Sequence, residues 1–475
     1  MMTTGDFRRY AHELVDWMAD YLEQIEDLPV RPSVPPRAVI DRLPLHPPDT
    51  SENFGQIFED FRSIILPGMT HWQHPSFFAY FPANASPPSI LAEMLTATMG
   101  AQCMSWATSP AAAELEERVM EWLREMLGLP AEFTGVIQDT ASTATLCAIL
   151  TARERATKYR MSEEGFPTGT RFTAYASGEA HSSIDKAVRI AGLGTQSLRK
   201  IRVDDRFAMV PEELDRAIVR DRAEGRIPLC VIATLGTTGS TAIDPLGPIA
   251  SICAAHGTWL HVDAAYAGTA LLLPEMRWMS EGIEQADSFV FNPHKWMFTN
   301  FDCSAYFVKD KAALIRTFEI LPEYLKTPEK ERVNNYRDWG IQLGRRFRAL
   351  KLWFVIRNFG VSGLQERVRA HIGLAQLFAR KLEAAADFEI LAPTPLAAVC
   401  FRYHPRGLED PDGLNRLNMR LMEGLNAGGR LYLTHTQLAS RVALRLVASQ
   451  TNVAERHIES AWKEIRDTAR ALRTP

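Results

Sequence analysis

The stretch Asp287-Ser-Phe-Val-Phe-Asn-Pro-His-Lys-Trp-Met-Phe298 decides how the chain is read. Its β-prone apolar run, Phe289 to Phe291, is cut by Asn292-Pro293, and Lys295 stands two residues beyond the break. Proline has no N–H to give a ladder and fixes its own φ, so the strand stops there. Lys295 then lies on a connection just past the carboxyl end of a buried strand, where open α/β sheets build their sites. Trp296 and Phe298 help to dry the amine, and a desolvated lysine becomes a nucleophile able to form a Schiff base. A surface lysine with its stem on apolar neighbours has the same local sequence. The rest of the chain has to decide.

Outward from this stretch, helix and strand patterns alternate. Apolar periodicity predicts helices at about 88–103, 110–127, 140–158, 182–191 and 211–223. Short apolar runs predict strands at Phe172–Ala176, Leu229–Thr234, Trp259–Val262, Phe289–Phe291 and Ala305–Val308. Such interleaving implies an α/β fold, a mostly parallel sheet covered on both faces. This large domain is expected over residues 87–367. Before it, residues 1–86 form an N-terminal helical and strap segment: Phe7, Tyr10, Leu14, Met18, Leu22 and Ile25 recur at helical spacing, followed by prolines from Pro29 to Pro48. A strap cannot cover that apolar stripe, so the helix is expected to pack on a second subunit. Around 320–345 the periodicity is broken by Pro322, Pro328, Asn334 and Asn335, which predicts a mobile loop, 326–343, over the site. A helix at about Arg345–Arg357 follows. Residues 368–475 read as a small α+β domain with strands Leu396–Arg402 and Arg441–Val447.

Composition narrows the function class. A chain of 475 residues exceeds one core, and a net charge of −4 leaves no footprint for nucleic acid or anionic membrane. No run of about 18 apolar residues predicts a membrane span. The six cysteines show no C-x-x-C or Cys/His spacing, which favours reduced core thiols, no metal site and a cytoplasmic protein. His71 and His74 are too few for a metal centre.

Other loops gather at the ends of the same strands. Trp259-Leu-His-Val-Asp263 puts a carboxylate directly after an apolar strand, either as an internal cap or facing a ligand cation such as a protonated pyridine nitrogen. Thr234-Leu-Gly-Thr-Thr-Gly-Ser240 is a hydroxyl-rich turn. Gln138-Asp-Thr-Ala-Ser-Thr143 opens a helix with small hydroxylic residues, which serve equally as an N-cap or a phosphate cradle. In Ala180-His-Ser-Ser-Ile-Asp185, Ser182 and Asp185 read as a capping box, leaving His181 aimed at the strand-end crevice. No G-x-G-x-x-G or P-loop pattern occurs. Cradle, carboxylate, histidine and amine together fit pyridoxal 5′-phosphate (PLP) held on a lysine.

With these residues in view, the chain resembles the group II PLP-dependent decarboxylases, specifically the aromatic-L-amino-acid decarboxylase family, from Phe7 to about residue 465. The resemblance is carried by Phe77-Phe-Ala-Tyr-Phe-Pro82, Trp106-Ala-Thr-Ser-Pro110, Ala180-His-Ser-Ser183, His261-Val-Asp-Ala-Ala-Tyr-Ala-Gly268, Asn292-Pro-His-Lys-Trp296 and Leu343-Gly-Arg-Arg-Phe-Arg348. It implies a fold-type I subunit with a mostly parallel seven-stranded sheet flanked by helices. It also implies a homodimer with its active site at the subunit interface. By the same resemblance Lys295 carries the cofactor, Asp263 pairs with its ring nitrogen, and His181 and Ala265 take its two faces. Ala141, Ser142, Thr238, Asn292 and His294 surround it and its phosphate. Tyr336 is expected to return the proton after CO2 leaves. Relatives with phenylalanine at that position, or asparagine at that of His181, make an aldehyde, so this chain is expected to make an amine.

The resemblance further implies an aromatic pocket of Trp72, Tyr80 and Phe81. His181 lies beside the substrate, Gly360 leaves room for large rings, and Gln102 and Met104 are contributed by the partner. A family threonine stands as Ala83 here. Tyrosine, L-DOPA, phenylalanine, tryptophan and 5-hydroxytryptophan all fit such a pocket. The alternatives are an aromatic acetaldehyde synthase, a transaminase using Arg445 as a carboxylate clamp, and a non-catalytic scaffold.

Overall fold

The computed structural model describes residues 2–166, 168–320 and 332–472. The large domain is built on seven strands: β1 (Thr134–Gln138), β2 (Phe172–Ser177), β3 (Leu198–Ile201), β4 (Ile227–Thr234), β5 (Trp259–Asp263), β6 (Ser288–Phe291) and β7 (Ser304–Val308). They lie in the order β1-β7-β6-β5-β4-β2-β3. Pairings among β2 to β6 are parallel, while β7 runs antiparallel to both β1 and β6. The sheet is thus the mostly parallel α/β sheet expected of fold-type I. The predicted strands are all present. The two that apolar runs did not predict are β1, which contains Gly135, and β3, a polar edge strand of sequence Leu-Arg-Lys-Ile.

Separate apolar cores pack on the two faces of this sheet, one holding Phe289 and Phe291 and the other Tyr306 and Trp339. Buried on both sides, a strand gains nothing from alternation, so β2, β5 and β6 are buried along their whole lengths. Packing is tightest behind the Lys295 stretch. A Cβ on Gly268 would sit 2.3 Å from Phe291 Cβ, so only glycine lets the chain cross there.

A 36-residue helix, Arg348–Glu383, runs from the large domain into the small one. Gly360 kinks it with φ 65° and ψ 168°, a left-handed φ that glycine adopts without the Cβ penalty. The sequence-expected helix end near Arg357 reflects this kink, and the expected boundary at 367/368 falls inside the continuing helix. The small domain carries β8 (Phe388–Ile390), β9 (Ala398–Tyr403), β10 (Thr434–Leu438) and β11 (Arg441–Val447), antiparallel in the order β10-β11-β9-β8. The N-terminal helix, Thr4–Glu23, has no buried residue, with Phe7 57% and Val15 44% exposed. Its far end is tied down, because Glu26 accepts two hydrogen bonds of 2.6 Å from Arg456.

Part of the expected mobile loop, 326–331, lies outside the described residues. Residues 334–340 are firmly packed, while 341–343 are exposed. Asn334, Asn335, Tyr336, Arg337 and Asp338 are all buried. Their polarity broke the sequence pattern, yet it is absorbed by partners: Lys311 Nζ donates to Asn334 Oδ1 at 2.6 Å and Trp106 N–H to Asn335 Oδ1 at 3.1 Å.

Candidate active site

At the carboxyl ends of β4, β5 and β6 the chain encloses a cavity of about 230 Å³. Lys295 lies in a one-turn helix, Pro293–Trp296, which starts where Pro293 ends the ladder of β6. Its N–H donates to Asn292 O at 2.9 Å, so the backbone is fixed while the side chain reaches the cavity. Nζ stands 5.2 Å from the centroid of Phe81. Burial lowers the basicity of this amine; Asp263 opposes the shift and Arg445 adds to it.

Asp263 ends β5 and is 5% exposed. Its Oδ1 accepts from Ala265 N–H at 3.0 Å, and among the described residues its other oxygen has no hydrogen-bond partner. Across the cavity, His181 precedes the helix Ser183–Ile190. Ser183 N–H donates to His181 Nδ1 at 3.2 Å, which makes Nδ1 an acceptor and leaves the proton of the neutral ring on Nε2. Desolvation first, and Lys295 second, lower the pKa of the ring. The expected capping box is absent, since Ser182 is helical at φ −61° and makes no side-chain cap. Asp185 pairs with Lys200 at 2.8 Å instead.

The floor is an anion cradle. The helix Ala141–Ala156 begins at Thr140, whose hydroxyl caps Thr143 N–H, and Ala141 and Ser142 line the cavity with the free N–H groups of the first turn. Asn292 Oδ1 accepts from Ser304 Oγ at 2.7 Å, leaving its amide nitrogen available. His294 Nδ1 accepts Cys303 N–H at 2.9 Å, and burial drives its pKa down to about 3. Thr238 and Ala265 complete the lining that the sequence predicted.

The site also contains residues to which sequence reasoning gave no individual role: Thr140, Ser183, Thr234, Gly236 and Tyr266 line the cavity too. All five stand inside quoted stretches, which was their only signal. Thr234 Oγ1 is buried without a hydrogen-bond partner. Beneath it, Asp244 takes Thr234 N–H and Met209 N–H, both at 2.7 Å, and burial pushes its pKa up to about 6. Tyr266 stacks on Phe81 at 3.8 Å and on Trp296 at 4.7 Å, an aromatic column under the lysine.

Several expected site residues lie elsewhere in this chain. Trp72 and Tyr80 form an outer cluster with Tyr432, where the two tyrosine hydroxyls are 3.3 Å apart. Gln102 and Met104 bond the 335–345 region: Gln102 Oε1 accepts Arg345 N–H and Met104 O accepts Arg337 N–H. Gly360 lines a surface groove with Trp122 and Arg277, and a Cβ on it would meet nothing within 4 Å.

Tyr336 does not line this cavity. It is 3% exposed, 5.2 Å from Trp339 by ring centroids, with the Arg345 guanidinium 5.0 Å above its ring. It lines a different cavity with Thr134 and Gly135 at the amino end of β1, the edge opposite Lys295. Within its own chain Tyr336 therefore stays away from the Lys295 cavity.

The residues present fit PLP. An orphaned hydroxyl on Thr234, a carboxylate with a free oxygen and a helix-terminal anion cradle surround one amine. Known proteins agree. The pyridoxal-dependent decarboxylase conserved domain matches residues 36–404. The chain is 43% identical over 482 residues to an aromatic-L-amino-acid decarboxylase of Bos taurus, covering 98% of this chain and 97% of that one. It is 42% identical over 481 residues to a phenylacetaldehyde synthase of Arabidopsis thaliana, covering 99% and 97%. The crystal structure of Oryza sativa TDC with PLP and tryptamine superposes with a TM-score of 0.96 at 36% identity, covering 99% of both chains.

Proposed function

The chain belongs to the pyridoxal-dependent decarboxylase family, and from that premise we propose that it decarboxylates an aromatic L-amino acid to the arylalkylamine and CO2. One observation carries the reading: Lys295, Asp263, His181 and the Ala141 helix start line a single cavity walled by Phe81. PLP, when bound, supplies a conjugated ring that takes up the electron pair left as CO2 departs.

The chain's own residues do the rest. Lys295, its basicity lowered by burial, would attach the cofactor through its amine and then yield its place to the substrate amine. Asp263, with one oxygen uncommitted, would hold a proton on the pyridine nitrogen. Ala141 and Ser142 N–H groups, with Thr238, Asn292 and His294, would hold the phosphate end. His181 and Ala265 would hold the ring between them, and the Nε2 proton of His181 would be free for the substrate carboxylate. Phe81 and the column behind it keep water from the reacting carbon.

We take the amine as product because both His181 and Tyr336 are retained; Tyr336, which does not line the cavity of its own chain, would return the proton in the site of the other copy of a dimer. The deciding experiment is a panel of tyrosine, L-DOPA, phenylalanine, tryptophan and 5-hydroxytryptophan assayed for CO2 and amine. Aldehyde with stoichiometric ammonia and peroxide in place of amine would overturn the reading.

We also propose a cytoplasmic homodimer. Six free, buried thiols support a reducing compartment. The uncovered faces of the Thr4–Glu23 and Pro87–Met99 helices, with Leu91, Leu95 and Met99 exposed, support a second copy. In that dimer Gln102, Met104 and Gly360, which face away from their own cavity, wall the site of the other copy. A monomeric mass by sedimentation at working concentration would exclude it.

A further inference from the structure

The backbone around Lys295 is held by a residue to which no role has so far been given. Asn84 is 1% exposed. Its own N–H donates to His294 O at 3.0 Å. Its side-chain amide donates to Lys295 O at 2.8 Å and to Ser449 O at 2.7 Å. Its Oδ1 accepts Thr451 N–H at 2.9 Å. Every polar valence of the short side chain facing these groups is thus engaged, by two different domains.

Lys295 O belongs to the last turn of a four-residue helix and has no intrahelical partner, so it needs one from outside. Asn84 supplies it. Neighbouring contacts repeat the arrangement: Ser86 Oγ donates to Phe298 O at 2.6 Å, and Thr451 Oγ1 donates to Ala85 O at 2.8 Å. Tyr266, in the column beneath the lysine, donates to Ser449 Oγ at 3.0 Å. The 84–86 stretch therefore lies between the lysine turn and residues 449–451 of the small domain and is bonded to both.

We propose that Asn84 is a positioning residue that fixes the Lys295 peptide and couples it to the docking of the small domain. The inference rests on Lys295 being the lysine that carries the cofactor. Because the peptide is pinned on its N–H side by Asn292 and on its C=O side by Asn84, only the lysine side chain moves when it is released and when it returns. Asn84→Asp keeps the shape and the acceptor for Thr451 but turns a carboxylate oxygen towards two carbonyls.

The test uses the full chain as wild type, Asn84→Asp, Asn418→Asp and Lys295→Ala. Asn418 is an equivalent staple far from the site, fully buried and bonded to both the N–H and the carbonyl of Tyr403. Three readouts are taken: the rate at which apoprotein develops colour on adding PLP, the pH midpoint of that visible band, and kcat and KM beside a thermal midpoint. Asn84→Asp is expected to slow colour development and lower kcat by about 10- to 100-fold with little change in KM. Its band midpoint is expected to move by about half a unit or more, since the electrostatics at the lysine change. Asn418→Asp is expected to lose thermal stability while keeping the band midpoint and kcat. If Asn84→Asp does not accumulate as folded protein, Asn84→Ala carries the same test with the same expected direction. A variant at position 84 with wild-type midpoint and kcat overturns the proposal, as does an Asn418→Asp protein that reproduces the losses. Lys295→Ala protein that still forms the coloured, borohydride-reducible species would overturn the Lys295 assignment itself, a separate failure.

Discussion

The turn that carries Lys295 and the turn that carries Tyr336 are built in opposite ways. Both are short, both follow polar punctuation, and both lie in family-like motifs. Around Lys295 the protein spends its hydrogen bonds on the peptide, through Asn292, Asn84 and Cys303, and leaves the side chain facing a cavity. Around Tyr336 the side chain itself is the packing, enclosed by Trp339 and Arg345. In this chain the lysine turn has a rigid base and a free end, and the tyrosine turn has the reverse.

The strongest challenge to this contrast is Lys295→Ala. Losing the nucleophile is expected to cut decarboxylation by about 10³-fold or more, about 4 kcal/mol of barrier, and to abolish the visible band. Any turnover close to wild type removes Lys295 from the chemistry. Next is Asp263→Asn, which keeps the shape but cannot hold the ring proton by charge; a loss of about 10²-fold in kcat is expected in steady-state assays.

For the other turn, Tyr336→Ala is expected to cost about 3–5 kcal/mol of stability in denaturant unfolding, as for a buried aromatic. Tyr336→Phe is the sharper version, since it keeps the ring and removes only the hydroxyl: a switch from amine towards aldehyde is expected in product analysis, and unchanged amine output would leave Tyr336 to packing alone.

The smallest expected effect is one of pH. Burial holds His294, His261 and His371 at pKa values of about 3; His294 lies in the lysine turn, His371 beside it with Trp296 Nε1 donating to its Nδ1 at 2.9 Å, and His261 within the sheet bonded to Thr145 and Ser288. Unfolded histidine takes a proton near pH 6.5 and these do not until about 3, so their contribution is complete above pH 6.5 and is lost as pH falls towards 3. Asp244, raised to about 6, works the other way between about 4 and 6. Hydrogen exchange, corrected for intrinsic rates, is expected to show the 293–298 amides losing protection between pH 7 and pH 5 more than those of 335–339. Equal loss in both turns would erase the distinction.

How much of this was legible in the sequence follows from what each residue's neighbours reveal. Continuous apolar runs announced β4, β5 and β6 because both faces of those strands are covered. Edge strands β3 and β10, of sequences Leu-Arg-Lys-Ile and Thr-His-Thr-Gln-Leu, carry too little apolar signal to be seen. The strand-end loops gave Asp263, His181 and the Thr140 helix start, since those positions are fixed by local grammar. The 334–338 segment misled, because broken periodicity reads alike whether polar groups meet water or buried partners. Gln102, Met104 and Gly360 could not be placed by any argument confined to one chain.

The six cysteines have a further use. Each is 5% exposed or less, and they are spread through the fold: Cys103 beside Arg345, Cys147 in the cradle helix and Cys230 in β4 within one core, Cys253 in the helix behind β4 and Cys303 next to His294 within the other, and Cys400 in the small sheet. A thiol-reactive label cannot touch any of them until its own surroundings open. The order in which they are modified would therefore record the sequence in which the molecule comes apart, six clocks already installed and needing no mutation.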